Sequence, residues 1–178
     1  EVTDLSALGA KTEGVVTVSS AVVLTGTQAE LEAALITADT LVVATTANVT
    51  VEDPVTIAEI TAIDAKIATL TATTIEDASL NIVAADGNGL NAHVTGSVVV
   101  TVDTGTANVA QVNAIQGATT GAISATLATG NLASFSGLAA DGENNNTLTI
   151  TVNDADATAL EVTDLSALGA KTEGVVTV

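Results

Sequence analysis

The chain has 178 residues, enough for a domain with a sizeable core, and 47% of them are apolar, too many for a chain held disordered by low hydrophobicity. Twenty-one Asp and Glu against three Lys (Lys11, Lys66 and Lys171) and no Arg give a formal charge of −18, which repels polyphosphate and anionic lipid and excludes nucleic acid as a partner. Disulfide and thiolate chemistry are excluded because there is no Cys, and insertion in a membrane is excluded because no run of eighteen apolar residues occurs.

The chain opens on Glu1–Val18, EVTDLSALGAKTEGVVTV, and the same eighteen letters return as Glu161–Val178. A tandem repeat of 160 residues accounts for this identity, since the block restarts at residue 161 after starting at residue 1. No initiator Met, signal peptide or capping segment is visible, so the chain reads as a piece of a longer array.

A shorter period lies inside the long one. Val/Thr/Leu runs begin near residues 15, 41, 69, 98, 122, 147 and 175, marking six coils of about 27 residues. In the first coil, Val15–Val18 and Ala21–Leu24 predict two short strands. Thr27-Gln-Ala-Glu30 then fits a capping box opening a helix. The second coil repeats the plan with Leu41–Ala44, Asn48–Val51, the lone Pro54, and Thr56-Ile-Ala-Glu59 ahead of an Ile57, Ile60, Ile63 stripe. In the third, Thr69–Thr73 alternates as a strand, Leu80–Val83 reads as a second strand, and Asp86-Gly-Asn-Gly89 stands where a helix is expected. Coils four and five show one strand each, Val98–Val102 and Ala122–Leu127. Val109, Val112, Ile115 and Leu132, Phe135, Leu138 follow them at helical spacing. The sixth has Thr147–Val152 and the stripe Val162, Leu165, Leu168, and Val175–Val178 restarts the cycle. Gly14, Gly121 and Gly174 mark exits from helix into strand.

The apolar set is nearly all Ala, Val, Ile and Leu, with Phe135 the one aromatic, which suits a thin interior that repeats itself. These features predict a mainly β fold with short helices: a parallel β-solenoid, leucine-rich-repeat-like or β-helix-like, with six coils per period. Residues 1–14 would end a preceding coil, 15–174 form the six-coil repeat, and 175–178 start the next.

Few residues invite chemistry. His93 is the only histidine, has no second His or Cys beside it, and reads as a turn residue. Phe135 sits on a core stripe. The glycines at 87, 89, 105, 121 and 142 read as turn residues, because no Gly-Lys-Ser/Thr follows them. Thr69/Thr71 and Thr149/Thr151 suggest an ice-binding ladder, but coils two and four break it. The acidic turns carry more weight. Glu76, Asp77, Asp103, Asp154 and Asp156 follow the strands of coils three, four and six and would fall on one corner of a stack. They form a candidate Ca²⁺ corner, since Ca²⁺ takes six to eight oxygen ligands. Asp86–Gly89 and Asp141–Asn146 add two oxygen-rich loops, although no EF-hand or Gly-Gly-x-Gly-x-Asp pattern occurs. Asp and Asn also serve as plain turn formers, and diffuse screening of the charge by divalent cations competes with ordered binding. No cofactor is required by any motif, calcium being the one ion the composition invites.

The block Asp4-Leu-Ser-Ala-Leu-Gly-Ala-Lys-Thr-Glu-Gly-Val-Val-Thr-Val18 and its cousin Val112-Asn-Ala-Ile-Gln-Gly-Ala-Thr-Thr-Gly-Ala-Ile-Ser-Ala125 resemble repeats in giant bacterial cell-surface proteins. Among these are the very large surface proteins of marine cyanobacteria linked to swimming motility. The resemblance implies secretion and display at the cell surface, and no catalytic residues. The expected function is a structural module of a giant secreted tandem-repeat protein, forming an extracellular filament, stalk or surface coat. Its expected partners are adjacent copies of the same repeat, in the same or a neighbouring chain. An adhesin-type binding or spacer domain, calcium-stabilised, is the alternative; its glycan or surface partner is unspecified, and the Trp and Tyr that usually stack on sugars are missing. An enzyme such as a polysaccharide lyase fits worst, because such sites use clustered basic residues and there is no Arg.

Overall fold

A computed structural model describes residues 2–37, 42–142, 144–154 and 160–178. The chain divides into two compact units, Glu1–Ile75 and Glu76–Val178.

In the first unit, α1 (Val2–Gly9) leads to β1 (Val16–Thr17), β2 (Val23–Gly26), α2 (Gln28–Leu35), β3 (Val42–Val43), β4 (Asn48–Val55), α3 (Ile57–Asp64) and β5 (Thr69–Asp77), whose last two residues enter the second unit. Both predicted capping boxes form. Thr27 Oγ1 accepts from Glu30 N, and Glu30 Oε2 accepts from Thr27 N at 2.9 Å. Thr56 and Glu59 do the same, with Thr56 N–Glu59 Oε2 at 2.8 Å. Each box satisfies two N–H groups that the first helical turn leaves open. Strands β2, β4 and β5 run parallel, with Val23 opposite Asn48 and Val49 opposite Leu70. The register slips between Val51 and Pro54, where proline has no N–H to give to the ladder. Strands β1 and β3 form a separate parallel pair, Val16 opposite Val42. The neighbour of Thr69–Thr73 is therefore Asn48–Val51, the run read as a second strand, and not the run at Leu41–Ala44. Leu31, Ala34, Val49, Val51, Ile60, Ile63 and Ile75 fill the interior.

The second unit continues with α4 (Ser79–Ile82), β6 (Val99–Val102), α5 (Val109–Gln116), β7 (Ile123–Thr126), a 3₁₀ turn (Leu132–Phe135), β8 (Thr147–Thr151), α6 (Val162–Gly169) and β9 (Val176–Thr177). β6 to β9 pair in parallel and in chain order, with Val100 opposite Ile123, Ser124 opposite Thr147 and Ile150 opposite Val176. Alternate residues point inward, as period two requires. Val100, Ile123, Leu148 and Ile150 are buried, as are Val112 and Ile115 of α5 and Phe135 of the 3₁₀ turn. Among the described residues no helix is long and apolar enough to cross a membrane.

This architecture corrects the expected fold class. The chain is α/β, 29% helix and 28% strand, with parallel strands flanked by helices, and it is not a closed, mainly β solenoid. The physical cause is the return path. Parallel neighbours need a crossover, and the α-helices expected within each coil supply it, but as capped two-turn helices that match the strands in extent and flank them, where the expectation was short helical turns closing a mainly β coil. Leu80–Val83 shows the same bias on a small scale. The run read as a strand is helical over Ser79–Ile82. Ile82 and Val83 are buried side by side while Leu80 is 68% exposed, a pattern no alternating strand can show.

The capping boxes make one direct test. Thr56→Ala should lower stability by about 1 kcal/mol, measured by denaturant unfolding, whereas Thr56→Ser should leave it nearly unchanged.

Candidate functional site: the joints between segments

Every strand–helix segment ends in backbone groups that it cannot satisfy by itself. Side chains from the neighbouring segment reach across to them. In the first unit Asp53 Oδ1 accepts from Gln28 N, the first N–H of α2, at 2.7 Å. In the second, Asp154 Oδ2 accepts from Leu132 N at the start of the 3₁₀ turn, at 2.8 Å. An Asp late in one strand, as Asp53 in β4, or just after it, as Asp154 after β8, thus caps the helical turn of the segment before it, where a negative charge also meets the positive end of the peptide dipoles.

Amides make the same connection around α5. Its N-terminus closes on an Asn108–Gln111 capping box. Asn108 Nδ2 then donates back to Ala85 O, and the buried Gln111 Nε2 donates to Val83 O at 3.0 Å. At the other end Asn113 reaches forward, donating to Gly137 O at 2.8 Å and accepting from Ala139 N at 2.9 Å, and Gln116 donates to Ala140 O. Asn146, wholly buried, accepts from Ile123 N through Oδ1 at 2.8 Å. Its own N–H donates to Asp141 Oδ1, and its carbonyl accepts from Glu173 N.

The third device is a Thr-x-Gly turn at the entry to a strand. Gly121 N donates to Thr119 Oγ1 at 2.9 Å while that hydroxyl donates to Val98 O at 2.6 Å. Gly174 N donates to Thr172 Oγ1 at 2.8 Å, and the same oxygen accepts from Leu148 N at 2.7 Å. The glycine is required by proximity. A Cβ at Gly121 would stand 2.2 Å from Val98 O, and one at Gly174 2.3 Å from Leu148 O. The turn lies in the block and its cousin whose similarity the sequence displays, Lys171-Thr-Glu-Gly174 beside Ala118-Thr-Thr-Gly121, so a comparison of those two segments was the signal that could have located it.

The two copies of the eighteen-residue block use this joint from opposite sides. In the first copy Val2 is 2% exposed and Leu8 51%; in the second the equivalent Val162 is 84% exposed and Leu168 4%. Val2 lies over Gly26, with its Cγ2 3.3 Å from where a Cβ there would stand, and α1 packs on α2. Leu168 instead lines a cleft of about 470 Å³ with Leu132, Phe135, Asp154 and Lys171. The Thr12–Gly14 turn keeps its internal bond at 3.0 Å, yet a Cβ at Gly14 would meet only Thr12 Oγ1, at 3.4 Å. One helix sequence therefore has two faces that bury, and each copy buries a different one.

The acidic corner is arranged differently from the expected one. Asp77, 8% exposed, has Oδ1 on Ala78 N and Asn81 Nδ2, both at 2.7 Å, and its carbonyl accepts from Asp103 N. Asp103 Oδ1 accepts from the Thr104 hydroxyl. Glu76 is half-buried beside Asp77, Asp154 caps the 3₁₀ turn, and Asp156 lies outside the described residues. Among the described residues no group of three or more His, Cys, Asp or Glu lies close enough to share a metal ion. Of the two oxygen-rich loops, Asp86 binds Asn88 N and Nδ2 through its two oxygens, and these bonds to the charged form hold its carboxyl below the ordinary value. Asp141 holds Asn146. His93 donates its main-chain N–H to Asn91 Oδ1 in a turn, and Phe135 is 2% exposed on its core stripe.

The sequence matches no protein-family model, and no curated protein or solved structure is similar to it.

Two measurements probe these joints. Gly174→Ala should destabilise the protein by at least ~1–3 kcal/mol, because the new methyl group meets a fixed backbone carbonyl, while Gly14→Ala at the same letter of the block should be neutral or slightly stabilising, both read by denaturant unfolding. Millimolar Ca²⁺ and Mg²⁺ should raise the melting temperature equally, by screening charge; a rise specific to Ca²⁺ would place an ordered site on the acidic residues.

Proposed function

We propose that this chain is a structural module of a secreted tandem-repeat protein, and that stacking of successive 160-residue periods builds an extracellular filament, stalk or coat. The carrying observation is that an identical block 160 residues apart buries Val2 and exposes Leu8 in one copy, and buries Leu168 and exposes Val162 in the other. A helix covered on both faces at once is what the interior of a continuous array supplies.

The remaining features agree with a wall and not with a reaction centre. The carboxylates and amides placed at the joints hold backbone groups of adjoining segments. The 470 Å³ cleft has one Lys and two Asp in its lining, and Asp154 is engaged with Leu132 N while Lys171 Nζ donates to Leu138 O. A charge of −18 keeps such arrays apart in solution and draws divalent cations around them, which fits the surface of a cell. The style of the repeats, similar to that of giant bacterial surface proteins, supports secretion.

The test is a chain of several consecutive periods viewed by electron microscopy. Particle length should increase in proportion to the number of periods. Separate globules spaced at random along a thread would end the reading.

A further inference from the structure

We propose that Asn88 is a self-modifying site: the main-chain nitrogen of Gly89 displaces its side-chain amide as ammonia, at a pace that Asp86 restrains. The inference does not depend on the module reading.

Asn88-Gly89 is the one Asn-Gly pair in the chain, and it stands in the turn that follows α4. Both reacting groups are open to water. Asn88 is exposed, Gly89 has a φ of +65°, and a Cβ placed on Gly89 would find nothing within 4 Å. The Gly89 N–H donates to no group among the described residues, whereas the Gly87 N–H of the preceding Asp86-Gly87 pair is held by Ala84 O at 2.9 Å. Other asparagine amides are tied into the fold, Asn113 Nδ2 to Gly137 O, Asn108 Nδ2 to Ala85 O and Asn81 Nδ2 to Asp77 Oδ1. Asn88 Nδ2 reaches only its own turn, donating to Asp86 Oδ2 at 3.1 Å, while the other Asp86 oxygen accepts from Asn88 N at 3.0 Å.

The reaction needs no cofactor. Gly89 N loses its proton to water and attacks Asn88 Cγ. The Cγ–Nδ2 bond breaks, and Nδ2 takes up a proton and leaves as ammonia. The cyclic imide then adds one water. Opening at Cγ gives aspartate; opening at the main-chain carbonyl gives isoaspartate, whose chain runs through Cβ and Cγ. Nothing is oxidised or reduced. Glycine favours the step because no Cβ crowds the attacking nitrogen. Asp86 opposes it twice, as a positioning residue. Its carboxylate holds the amide back toward residue 86, and its charge opposes the negative charge that grows on Gly89 N and on the amide oxygen. Conversion is one-way. It sets a second carboxylate against Asp86 and alters the turn that Ala84 N closes on Asn88 O at 3.1 Å, next to the Asn108 and Gln111 ties that hold α5.

The test is incubation of the folded chain at mildly alkaline pH, followed by peptide mapping and by labelling with an isoaspartate-specific methyltransferase. Asn88 should convert ahead of every other asparagine, and Asn88→Gln should remove the early isoaspartate signal. Asp86→Ala should convert Asn88 roughly fivefold faster. Asp86→Ser should do nearly the same: its hydroxyl still accepts from Asn88 N and closes the turn, but it has no second oxygen for the amide. A turn that is merely looser would speed the Ala variant alone. Circular dichroism of each variant confirms that it is folded. One comparison needs no variant. Unfolded in guanidinium chloride, where Asp86 no longer holds the amide, the unaltered chain should convert Asn88 faster than when folded. Earlier conversion of another asparagine overturns the proposal. So does a folded Asp86→Ala or Asp86→Ser chain that converts no faster than the unaltered one, or an unfolded chain that converts no faster than the folded one.

Discussion

Short parallel strand–helix segments cannot satisfy their own ends, and that constraint organises this molecule. A helix of two turns leaves most of its terminal N–H and C=O groups without internal partners, and the strands before and after it are two to nine residues long. A buried group left unpaired costs about 1–3 kcal/mol, so a stack of such segments holds only if neighbours supply the partners. Asp53, Asp154, Gln111, Asn113, Asn146 and Thr172 do this, each at a sequence distance of about one segment. The apolar column of Val, Ile and Leu supplies the driving force, and the polar cross-ties set which segment may lie beside which.

The same constraint gives two of the acidic residues, Asp53 and Asp154, a place in the fold. A carboxylate at the end of one strand is placed where the preceding helical turn begins, and there it is both hydrogen-bonded and favoured by the peptide dipoles. It also explains why the repeated block matters more than any single residue. Val2, Leu8, Thr12 and Gly14 are ordinary in themselves. Their counterparts Val162, Leu168, Thr172 and Gly174 show what each becomes when the other neighbour is present. The chain contains its own control experiment, one sequence in two surroundings.

Several elements were legible from the letters alone. Thr27-x-x-Glu30 and Thr56-x-x-Glu59 announced two helices, because the reciprocal bonds of a capping box depend only on residues three apart. Alternation in Ala122–Leu127 and Thr147–Val152 announced strands for an equally local reason. Leu80–Val83 misled because four residues hold too little periodicity to separate strand from helix. The fold class misled for a related reason: the spacing of the segments says how often the chain returns to its sheet, but not whether the returning helices close each coil or flank a sheet of parallel strands. The acidic residues were visible, yet their use was not, since a carboxylate that caps a distant N–H and one that ligates calcium look alike in a list.

By itself, the sequence determined the 160-residue period, the interval of the segments, the charge, the inward-facing residues of the longer strands and the capped helix starts, all of which follow from contacts within a few residues or from simple repetition. Only the tertiary structure decided that Asn48–Val55 and not the run before it stands next to Thr69–Asp77, that Asp154 serves Leu132 and Asn146 serves Ile123, and that Val2 and Leu168 are covered while Val162 and Leu8 are bare. Those choices depend on which segment lies alongside which, and pairing between groups more than twenty residues apart leaves no mark on local pattern.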